Sequence, residues 1–495
     1  MIVEIILSMI FLWFLWSTTT YLEKRKLPPG PFPLPFIGNT LQMLSDPKDP
    51  FSKLVRKYGD IFTFYRPAGA VVVLNNARLI REARVGKKDD LSGRSREHMY
   101  PFTEISGTND VLLSDYSPGY LFRRRVFQSA MHVFGSGIEK AEDRARQAVD
   151  KAIEEIHNKH GQPFCPKEPL ECAIVVQIWE WLTSKTEPLD GPTIHILRKH
   201  LETITDIGYQ SPLYHLFPFL GYLPTQFRRN IKRAQETVQS IFIPEFQAHQ
   251  KTYTPGIVRD LTDSFIAAYE KELAKERGKE IGSKDDIPSL MTNVLLGGTG
   301  TTSASLAWLI LHMALHEDIQ QKIHDEIDAV VGNERLPHLR DAPDMPYLQS
   351  TLCEVQRIPG VIASSSSNTT RDILIDGYEI PKGTLVLINL KQAHLDEREW
   401  PEPNEFKPER FLDSEGKFVG WTKLHGFIPF GLGRRECAGS SLAKVMMFTF
   451  AATLLQRYKF ELPKGSEKPS TEAYFVSAVV KPKDYEVVAK QRLPI

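Results

Sequence analysis

The segment PFGLGRRECAGSSLA places a cysteine, Cys437, at the end of a glycine-rich loop. The stretch that follows, residues 440–458, is apolar on nearly all sides, which predicts a buried helix. At such a helix N-terminus the helix dipole, nearby backbone N–H groups and the adjacent Arg434 and Arg435 favour the thiolate. A lone cysteine is most often an inert buried residue. Because the glycines leave room for a flat group against the sulfur, we interpret Cys437 as a candidate ligand.

A second chemical candidate is the stretch LGGTGTTSAS at 296–305, in the middle of a long apolar helical pattern. It contains Gly297, Gly298 and Gly300, and each glycine inside a helix costs about 1 kcal/mol relative to alanine. Thr301 and Thr302 follow directly. Threonine hydroxyls in helices often bond back to a helix carbonyl, but that does not explain the glycines. We expect the thinned helix to let its backbone approach another group.

Composition excludes several classes of protein. The chain has 495 residues with 61 basic and 61 acidic side chains, so a general nucleic-acid binder is not expected. Its four cysteines are scattered without a paired spacing, which indicates a reducing compartment and no disulfide framework.

The N-terminus has the pattern of a membrane anchor. Residues 5–16 are almost unbroken apolar sequence, and Lys24, Arg25 and Lys26 follow. A cleaved signal peptide is the alternative, but there is no early basic residue and no small-residue cleavage pattern. Basic residues after the apolar run keep the rest of the chain cytosolic. We therefore predict a single anchor over 1–21, a basic and proline-rich linker over 22–38, and one catalytic domain over 39–495.

The pattern of elements predicts a mainly α protein with small β-sheets. Two β-rich runs at 61–65 and 70–74 form a predicted hairpin, and 373–390 forms another. Long amphipathic helices are predicted at 137–157, 226–250 and 288–331, and short strands in the last 40 residues.

The cysteine segment resembles the cytochromes P450, the haem-thiolate monooxygenases. Their signature Phe-x-x-Gly-x-Arg-x-Cys-x-Gly matches at Phe430, Gly433, Arg435, Cys437 and Gly439. The resemblance implies the cytochrome P450 fold with haem b as cofactor. It makes Cys437 the axial ligand of the haem iron, favouring O–O cleavage, and Arg435 a partner of a haem propionate.

Two further motifs extend the resemblance over nearly the whole chain. Glu354 and Arg357 stand three residues apart on one predicted helix face. With Arg410 they match the family's Glu-Arg-Arg triad, whose implied role is to lock the fold behind the haem. Tyr120 and Arg124 match a Trp-x-x-x-Arg motif whose two ends touch a propionate. Tyrosine replaces the tryptophan and still offers a hydrogen bond.

The chain departs from the family at two places. Related animal members usually carry a histidine before the Thr-Thr-Arg-Asp run that reaches the other propionate, but Ser367 stands there. The glycine helix matches [Ala/Gly]-Gly-x-[Asp/Glu]-Thr-[Thr/Ser], in which Thr301 is the threonine that directs protons to dioxygen. Gly300 replaces the acid of that motif, and Thr302 is its last residue.

The resemblance implies insertion of one oxygen atom of O2 into a lipophilic substrate, steroid-like or aromatic. It also implies electrons from NADPH–cytochrome reductase, and with the predicted anchor we expect a single-pass enzyme in the endoplasmic reticulum membrane with its catalytic domain cytosolic. Two alternatives remain open: a reductase-independent haem-thiolate isomerase or dehydratase, which the missing acid at Gly300 favours, and a non-catalytic haem binder. Candidate reductase contacts are Arg123, Arg124, Lys423 and Lys444. The alignment gives 100–111, 203–210, 294–301, 361–365 and 474–477 as candidate pocket walls.

Overall fold

The computed structural model of the chain describes residues 8, 11, 12, 15, 26–35, 37–44, 51–95, 99–106, 109–136, 138–216, 218–275, 281–472 and 479–492. The α-helices are α1 (Thr40–Leu44), α2 (Ser52–Tyr58), α3 (Ala77–Arg81), α4 (Phe102–Ser106), α5 (Pro118–Ser136), α6 (Ile138–His157), α7 (Lys167–Thr183), α8 (Pro192–Leu216), α9 (Gln226–Thr237), α10 (Ile243–Thr252), α11 (Leu261–Lys275), α12 (Ile287–Leu315), α13 (Glu317–Val330), α14 (Pro346–Arg357), α15 (Leu390–His394) and α16 (Ser440–Arg457). The strands are β1 (Ile61–Arg66), β2 (Gly69–Leu74), β3 (Ser364–Asn368), β4 (Ile373–Ile375), β5 (Tyr378–Ile380), β6 (Leu385–Asn389), β7 (Tyr458–Glu461) and β8 (Val488–Gln491). The prediction of a mainly helical protein with small sheets is confirmed.

The sheet formed by four of these strands has the order β1-β2-β6-β3. β1 and β2 pair antiparallel from Ile61 opposite Leu74 to Arg66 opposite Gly69, so the predicted hairpin at 61–74 is present. β6 runs parallel to β2 and antiparallel to β3. Through β3 this sheet carries Ser367 toward the cysteine loop.

The predicted hairpin over 373–390 is wrong in its second half. β4 and β5 form a short hairpin around Asp376 and Gly377, which both have positive φ. β6 leaves that hairpin and inserts between β2 and β3. Alternating apolar residues indicate a strand but not its partner, and β6 is buried on both faces because it is a central strand.

α12 is a 29-residue helix through the middle of the core. It packs along α7 and also contacts α14 and α16. The predicted continuous helix over 288–331 is interrupted at His316, whose backbone leaves the helical region (φ −125°, ψ 79°). The predicted helix over 226–250 is interrupted by a π-helical segment, Val238–Phe242, between α9 and α10.

One side chain ties together the three helices that surround the site. The Gln356 amide on α14 donates to Ser305 Oγ on α12 at 2.7 Å and lies 3.3 Å from Met447 Sδ on α16. All three residues are buried. A buried amide bonded in this way fixes the helices relative to one another.

The proline-rich segment after the predicted anchor lies against the first sheet. Thr63 of β1 donates its N–H to the Pro29 carbonyl at 2.9 Å, and Tyr65 donates its N–H to Asn39 Oδ1 at 2.8 Å. A Cβ on Gly30 would lie 1.7 Å from the Thr63 carbonyl oxygen, so glycine is needed for this close approach. The proline-rich segment is therefore packed against the first sheet of the catalytic domain.

The predicted anchor over 1–21 lies almost entirely outside the described residues. Within the described part of the chain, the helical stretch Lys284–Leu315 is long and apolar enough to cross a membrane, but 67% of its most apolar window is buried inside the protein. We assign that stretch, which includes α12, to the core.

Candidate functional site

The loop before α16 is folded by its glycines. Cys437 donates its N–H to the Phe430 carbonyl at 2.8 Å, which closes the loop on itself. Gly433 has φ +73°, and a Cβ there would lie 2.0 Å from the Arg84 carbonyl oxygen. Both the left-handed backbone and the close approach require glycine at this position. Phe430 packs against Trp421, with ring centroids 5.7 Å apart.

Cys437 is exposed at the end of this loop, although α16 behind it is almost fully buried. No atom lies within 4 Å of where a Gly439 Cβ would be, so the space beside the cysteine is open. Protein atoms on one side of the thiol displace part of its water, and this desolvation raises the pKa of Cys437. The Gly439 backbone N–H and the Arg124 charge lower the pKa in opposition, without reversing the net shift.

The guanidinium groups of Arg434 and Arg435, which were expected to favour the thiolate, bind other partners. Arg434 donates its Nε to Asp89 Oδ1 at 2.8 Å, and Arg435 directs its guanidinium to the carbonyls of Ser92 and Ser114. In the protein alone, Cys437 is therefore not a favoured thiolate. A metal cation bound to the sulfur would supply the missing stabilisation, because a metal lowers the pKa of its thiol ligand.

Tyr120 and Arg124, both on α5, form hydrogen bonds to backbone carbonyls of the cysteine loop. The Tyr120 hydroxyl donates to the Arg434 carbonyl at 2.7 Å, so its one proton is already used and the expected donation to a propionate would break this bond. The Arg435 guanidinium lies 3.8 Å from the Tyr120 ring centroid. Arg124 is buried and donates to the Glu436 carbonyl at 2.9 Å.

Three arginines meet next to this loop without carboxylate partners. Within the described part of the chain, neither Arg84, Arg94 nor Arg435 forms an ion pair. Burial, together with repulsion from Arg94, lowers the pKa of Arg84 to about 9 and that of Arg435 to about 10. Sequence reasoning missed Arg84 and Arg94, because one arginine in an amphipathic stretch carries no sign that it will be buried.

This cluster fits the two carboxylates of a haem. Arg435 Nη1 and Arg94 Nε are buried donors without a hydrogen-bond acceptor among the described residues. A buried cation without an anion is costly, and so is a buried donor without an acceptor. Against the larger effect of burial, the carboxylates of Asp110 and Asp115 raise the pKa of Arg94 and of Arg435 respectively. Neither forms an ion pair with these arginines among the described residues, and both accept backbone N–H bonds instead. A ligand with two negative charges beside Cys437 would balance the arginine charges and would accept hydrogen bonds from the two unpaired donors.

Ser367, which stands where relatives carry a histidine, lies in the same cluster. Arg84 donates to Ser367 Oγ at 2.8 Å, and its other terminal nitrogen lies 3.4 Å from Ser365 Oγ. Both serines are on β3, and Ser367 is 1% exposed.

The glycines of α12 divide between two faces of the helix. No atom lies within 4 Å of a Cβ built on Gly297, and a Cβ on Gly300 would meet Val479 Cγ2 at 3.7 Å, so this face is open. Thr301 is on the same face, half-exposed. Gly298 faces the other way: a Cβ there would lie 2.7 Å from Ile178 Cδ1 of α7.

The two threonines also separate. Thr301 donates its hydroxyl to the Gly297 carbonyl at 2.6 Å. This is the bond from a threonine hydroxyl back to a helix carbonyl that is common in helices. Thr302 is 2% exposed, because one residue along a helix turns the side chain by about 100°. Thr302 therefore does not share the open face with Thr301.

Glu354, Arg357 and Arg410 form one buried network. Arg357 binds Glu354 through two bonds of 2.7 Å, and both side chains are completely buried. Arg410 Nε lies 3.3 Å from Glu354 Oε1. The remaining Arg357 donors bind the carbonyls of His394 and Pro403 at 2.8 Å, which joins α14 to the segment that precedes the cysteine loop.

Two of the four candidate reductase contacts are wrong. Arg123 and Arg124 are 6% and 8% exposed, and Arg123 lies 3.5 Å from Asp286. Lys444 lies over the Phe430 ring at 5.2 Å, while Lys423 is exposed. Of the candidate pocket walls, 294–301 includes the open face of α12, and 474–477 lies outside the described residues.

Comparisons with known proteins agree with this geometry. The sequence profile of the family Cytochrome P450 matches residues 28–489. The chain is 32% identical over 476 residues to cytochrome P450 2D4 of Rattus norvegicus and, equally, to cytochrome P450 2D6 of Homo sapiens. These alignments cover 94% of this chain and 93% and 94% of those proteins. Cytochrome P450 2D1 of Rattus norvegicus is 30% identical over 473 residues, an alignment that covers 94% of this chain and 92% of that protein.

Proposed function

The chain belongs to the cytochrome P450 family and is a haem-thiolate monooxygenase with haem b as its cofactor, and on that premise we propose which residues carry the reaction and what it acts on. When bound, the haem supplies the activation of O2 and its insertion into a substrate C–H bond, with electrons from an NADPH-dependent reductase. The chain's own residues hold the cofactor, orient the substrate and move protons.

Cys437 binds the haem iron through its sulfur. The support is its exposed position at the end of a loop that glycine alone can form, with open space beside Gly439. Arg435 and Arg94 bind propionate oxygens with donors that otherwise lack acceptors. Arg124 and Tyr120 hold the loop in place from behind. The observation that carries the assignment is the arginine cluster without carboxylates beside an exposed cysteine.

Thr301 positions the water that delivers protons to the reacting atoms. Its hydroxyl proton is held by the Gly297 carbonyl, so its two lone pairs face the open side of α12 and can accept a hydrogen bond from water or substrate. Gly300, which brings no carboxylate, leaves room for water beside Thr301. Water therefore relays the protons that an acid relays in relatives.

The substrate is a lipophilic molecule, steroid-like or planar aromatic. The open face of α12 is lined by glycines and flanked by the buried apolar residues Val294 and Leu295. Such a wall favours a flat apolar ligand and offers few polar partners.

The protein is anchored by residues 1–21 in the endoplasmic reticulum membrane, with the catalytic domain, 39–495, in the cytosol. Its relatives are microsomal animal enzymes. The apolar run followed by Lys24, Arg25 and Lys26 supports this single-pass orientation. Protease treatment of sealed microsomes should digest the catalytic domain; a protected domain would contradict the orientation.

The reduced protein with bound carbon monoxide tests the cofactor assignment. We expect the red-shifted Soret band of a thiolate ligand, and its loss in Cys437→Ser. The control Cys165→Ser, at a half-buried cysteine far along the chain, should keep the band. A band at the position of a histidine-ligated haem would contradict the assignment.

Screening identifies the substrate class. Steroids and planar aromatics should shift the ferric spectrum to high spin, and product should form only when NADPH and reductase are both present. Turnover of a hydroperoxide without reductase, with no NADPH-dependent product, would instead indicate the isomerase or dehydratase alternative.

A further inference from the structure

Arg84 is a buried cation whose charge nothing in the described chain balances. It lies in the π-helical segment Glu82–Gly86 after α3 and is 4% exposed. Its described partners are all neutral: the Leu91 carbonyl at 3.0 Å, Ser367 Oγ at 2.8 Å and Ser365 Oγ at 3.4 Å. An arginine in such surroundings is unfavourable unless an anion joins it.

Its backbone is fixed directly against the cysteine loop. The Arg84 carbonyl oxygen occupies the space where a Gly433 Cβ would be, at 2.0 Å from that position. Gly433 is four residues from Cys437. A haem held by Cys437 would therefore lie near the segment that carries Arg84.

Arg84 and Arg435 stand side by side. Arg84 donates to the carbonyl of Leu91, and Arg435 to the carbonyl of Ser92, the next residue. Consecutive Cα atoms are 3.8 Å apart, so the two guanidinium groups share one small region. Segment 91–95 is itself held to β3 by the pair of backbone bonds between Gly93 and Asn368, at 3.0 and 2.8 Å.

Ser367 occupies the position at which relatives carry a propionate-binding histidine. The serine side chain is too short to take that role. In this chain a guanidinium reaches the same place from the segment after α3, and the hydroxyl of Ser367 accepts its hydrogen bond. The cation that the histidine site lacks is present, but it comes from a distant part of the sequence.

We propose that Arg84 binds a haem propionate in place of the histidine that relatives carry at position 367, with Ser365 and Ser367 as its positioning residues. This inference depends on haem as the cofactor and not on the substrate class. A guanidinium binds a carboxylate through charge-assisted bonds. Haem binding therefore relieves the buried charge of Arg84 and secures the cofactor at that edge.

Haem transfer from the ferric holoenzyme to excess apomyoglobin tests the proposal. Arg84→Met removes the charge and keeps much of the side-chain volume. We expect it to lose haem about 10- to 100-fold faster than the unsubstituted enzyme, as the loss of a charged hydrogen bond predicts. The control is Arg81→Met, three residues earlier, whose guanidinium binds the His425 carbonyl instead. Its haem transfer should stay within about twofold of the original rate.

A second variant distinguishes propionate binding from a purely structural role, in which Arg84 only links the Leu91 carbonyl to the serines of β3. Adding Ser367→His to Arg84→Met restores the family's histidine, and we expect haem retention to recover most of the loss. If Arg84 only linked Leu91 to β3, the histidine at position 367 would not restore that link. If Arg84→Met yields no holoprotein, recovery of haem-loaded protein in the double variant supports the proposal equally.

Two results would overturn it. Haem transfer from Arg84→Met at the original rate excludes a propionate contact. Fast loss that Ser367→His does not correct, or a double variant that also yields no holoprotein, assigns Arg84 to folding alone. The proposed function has separate tests, because the thiolate band and the NADPH-dependent product are both measured on the unsubstituted protein.

Discussion

Thr301 donates its hydroxyl hydrogen to the carbonyl oxygen of Gly297, 2.6 Å away and one turn earlier in α12. The bond lies on the face of the helix where Gly297 and Gly300 leave open space. Thr301 thus presents lone pairs and not its proton to that space. The position next to it, Gly300, offers no titratable group in its place.

Gly300→Asp should raise the amount of product formed per NADPH consumed, because it restores a carboxylate beside Thr301. The structure has room for it, since a Cβ at 300 meets Val479 at an ordinary contact distance of 3.7 Å. The measurement is the ratio of product to NADPH oxidised, together with hydrogen peroxide released. Gly300→Ala is the matched control, which changes helix propensity without adding a carboxylate. An unchanged or lower ratio in the aspartate variant would show that water already meets the proton demand.

Gly297→Ala and Gly298→Ala should have opposite effects on stability. At 297 the new methyl enters open space, and the free energy of unfolding should rise by up to about 1 kcal/mol from helix propensity. At 298 it would lie 2.7 Å from Ile178 Cδ1, and overpacking of this kind costs about 1–3 kcal/mol. Chemical denaturation of both variants measures the difference.

The contact with Ile178 has its own control. Ile178→Val removes the atom that a methyl at 298 would strike, so the double variant with Gly298→Ala should be more stable than the two single effects predict. Strict additivity would show that Gly298 is required for another reason.

Glu354→Gln should be far more destabilising than Arg410→Gln. Glu354 and Arg357 are both completely buried, and removing one partner of a buried pair costs about 3–5 kcal/mol because the other charge stays behind. Arg410 is at the edge of the network, where its guanidinium also donates to the carbonyls of Pro401 and Glu402. Its loss leaves the Glu354–Arg357 pair intact and should therefore cost less than the loss of Glu354. Thermal unfolding of the two variants gives the ranking, and equal losses would contradict it.

His394 should make the fold sensitive to acid. Burial lowers the pKa of His394 to about 3, with the charge of Arg357 acting in the same direction, and its Nε2 accepts the Ile428 N–H at 2.9 Å. In the unfolded chain the pKa is about 6.5. The unfolded state therefore binds a proton that the folded state does not, and stability that is complete above pH 6.5 is lost as the pH falls toward 3.

The measurement is the free energy of unfolding at several pH values between 6 and 4. His394→Gln, whose amide oxygen can accept the same N–H, should reduce the slope by up to about 1.4 kcal/mol per pH unit. His425→Gln, at an exposed histidine, is the control. The same slope in both variants would assign the acid sensitivity to other groups, such as His312 with its pKa lowered to about 3.

Much of the site was predictable because it is local in sequence. The loop from Phe430 to Gly439 is shaped by its own glycines and by the helix that follows, so neighbouring residues contain the information. Glu354 and Arg357 are one turn apart on α14, and their pairing needs no distant element. The long apolar pattern of α12 likewise predicts its own burial.

Tertiary structure decided what depends on residues distant in sequence. The pairing of β6 with β2, the use of the Tyr120 proton by Arg434 and the contact of Gly298 with Ile178 each join segments more than a hundred residues apart. The cluster of Arg84, Arg94 and Arg435 is the clearest case. A charge becomes costly, and therefore informative, only when the folded chain removes water from it, and burial is a property of the packed molecule and not of the residue.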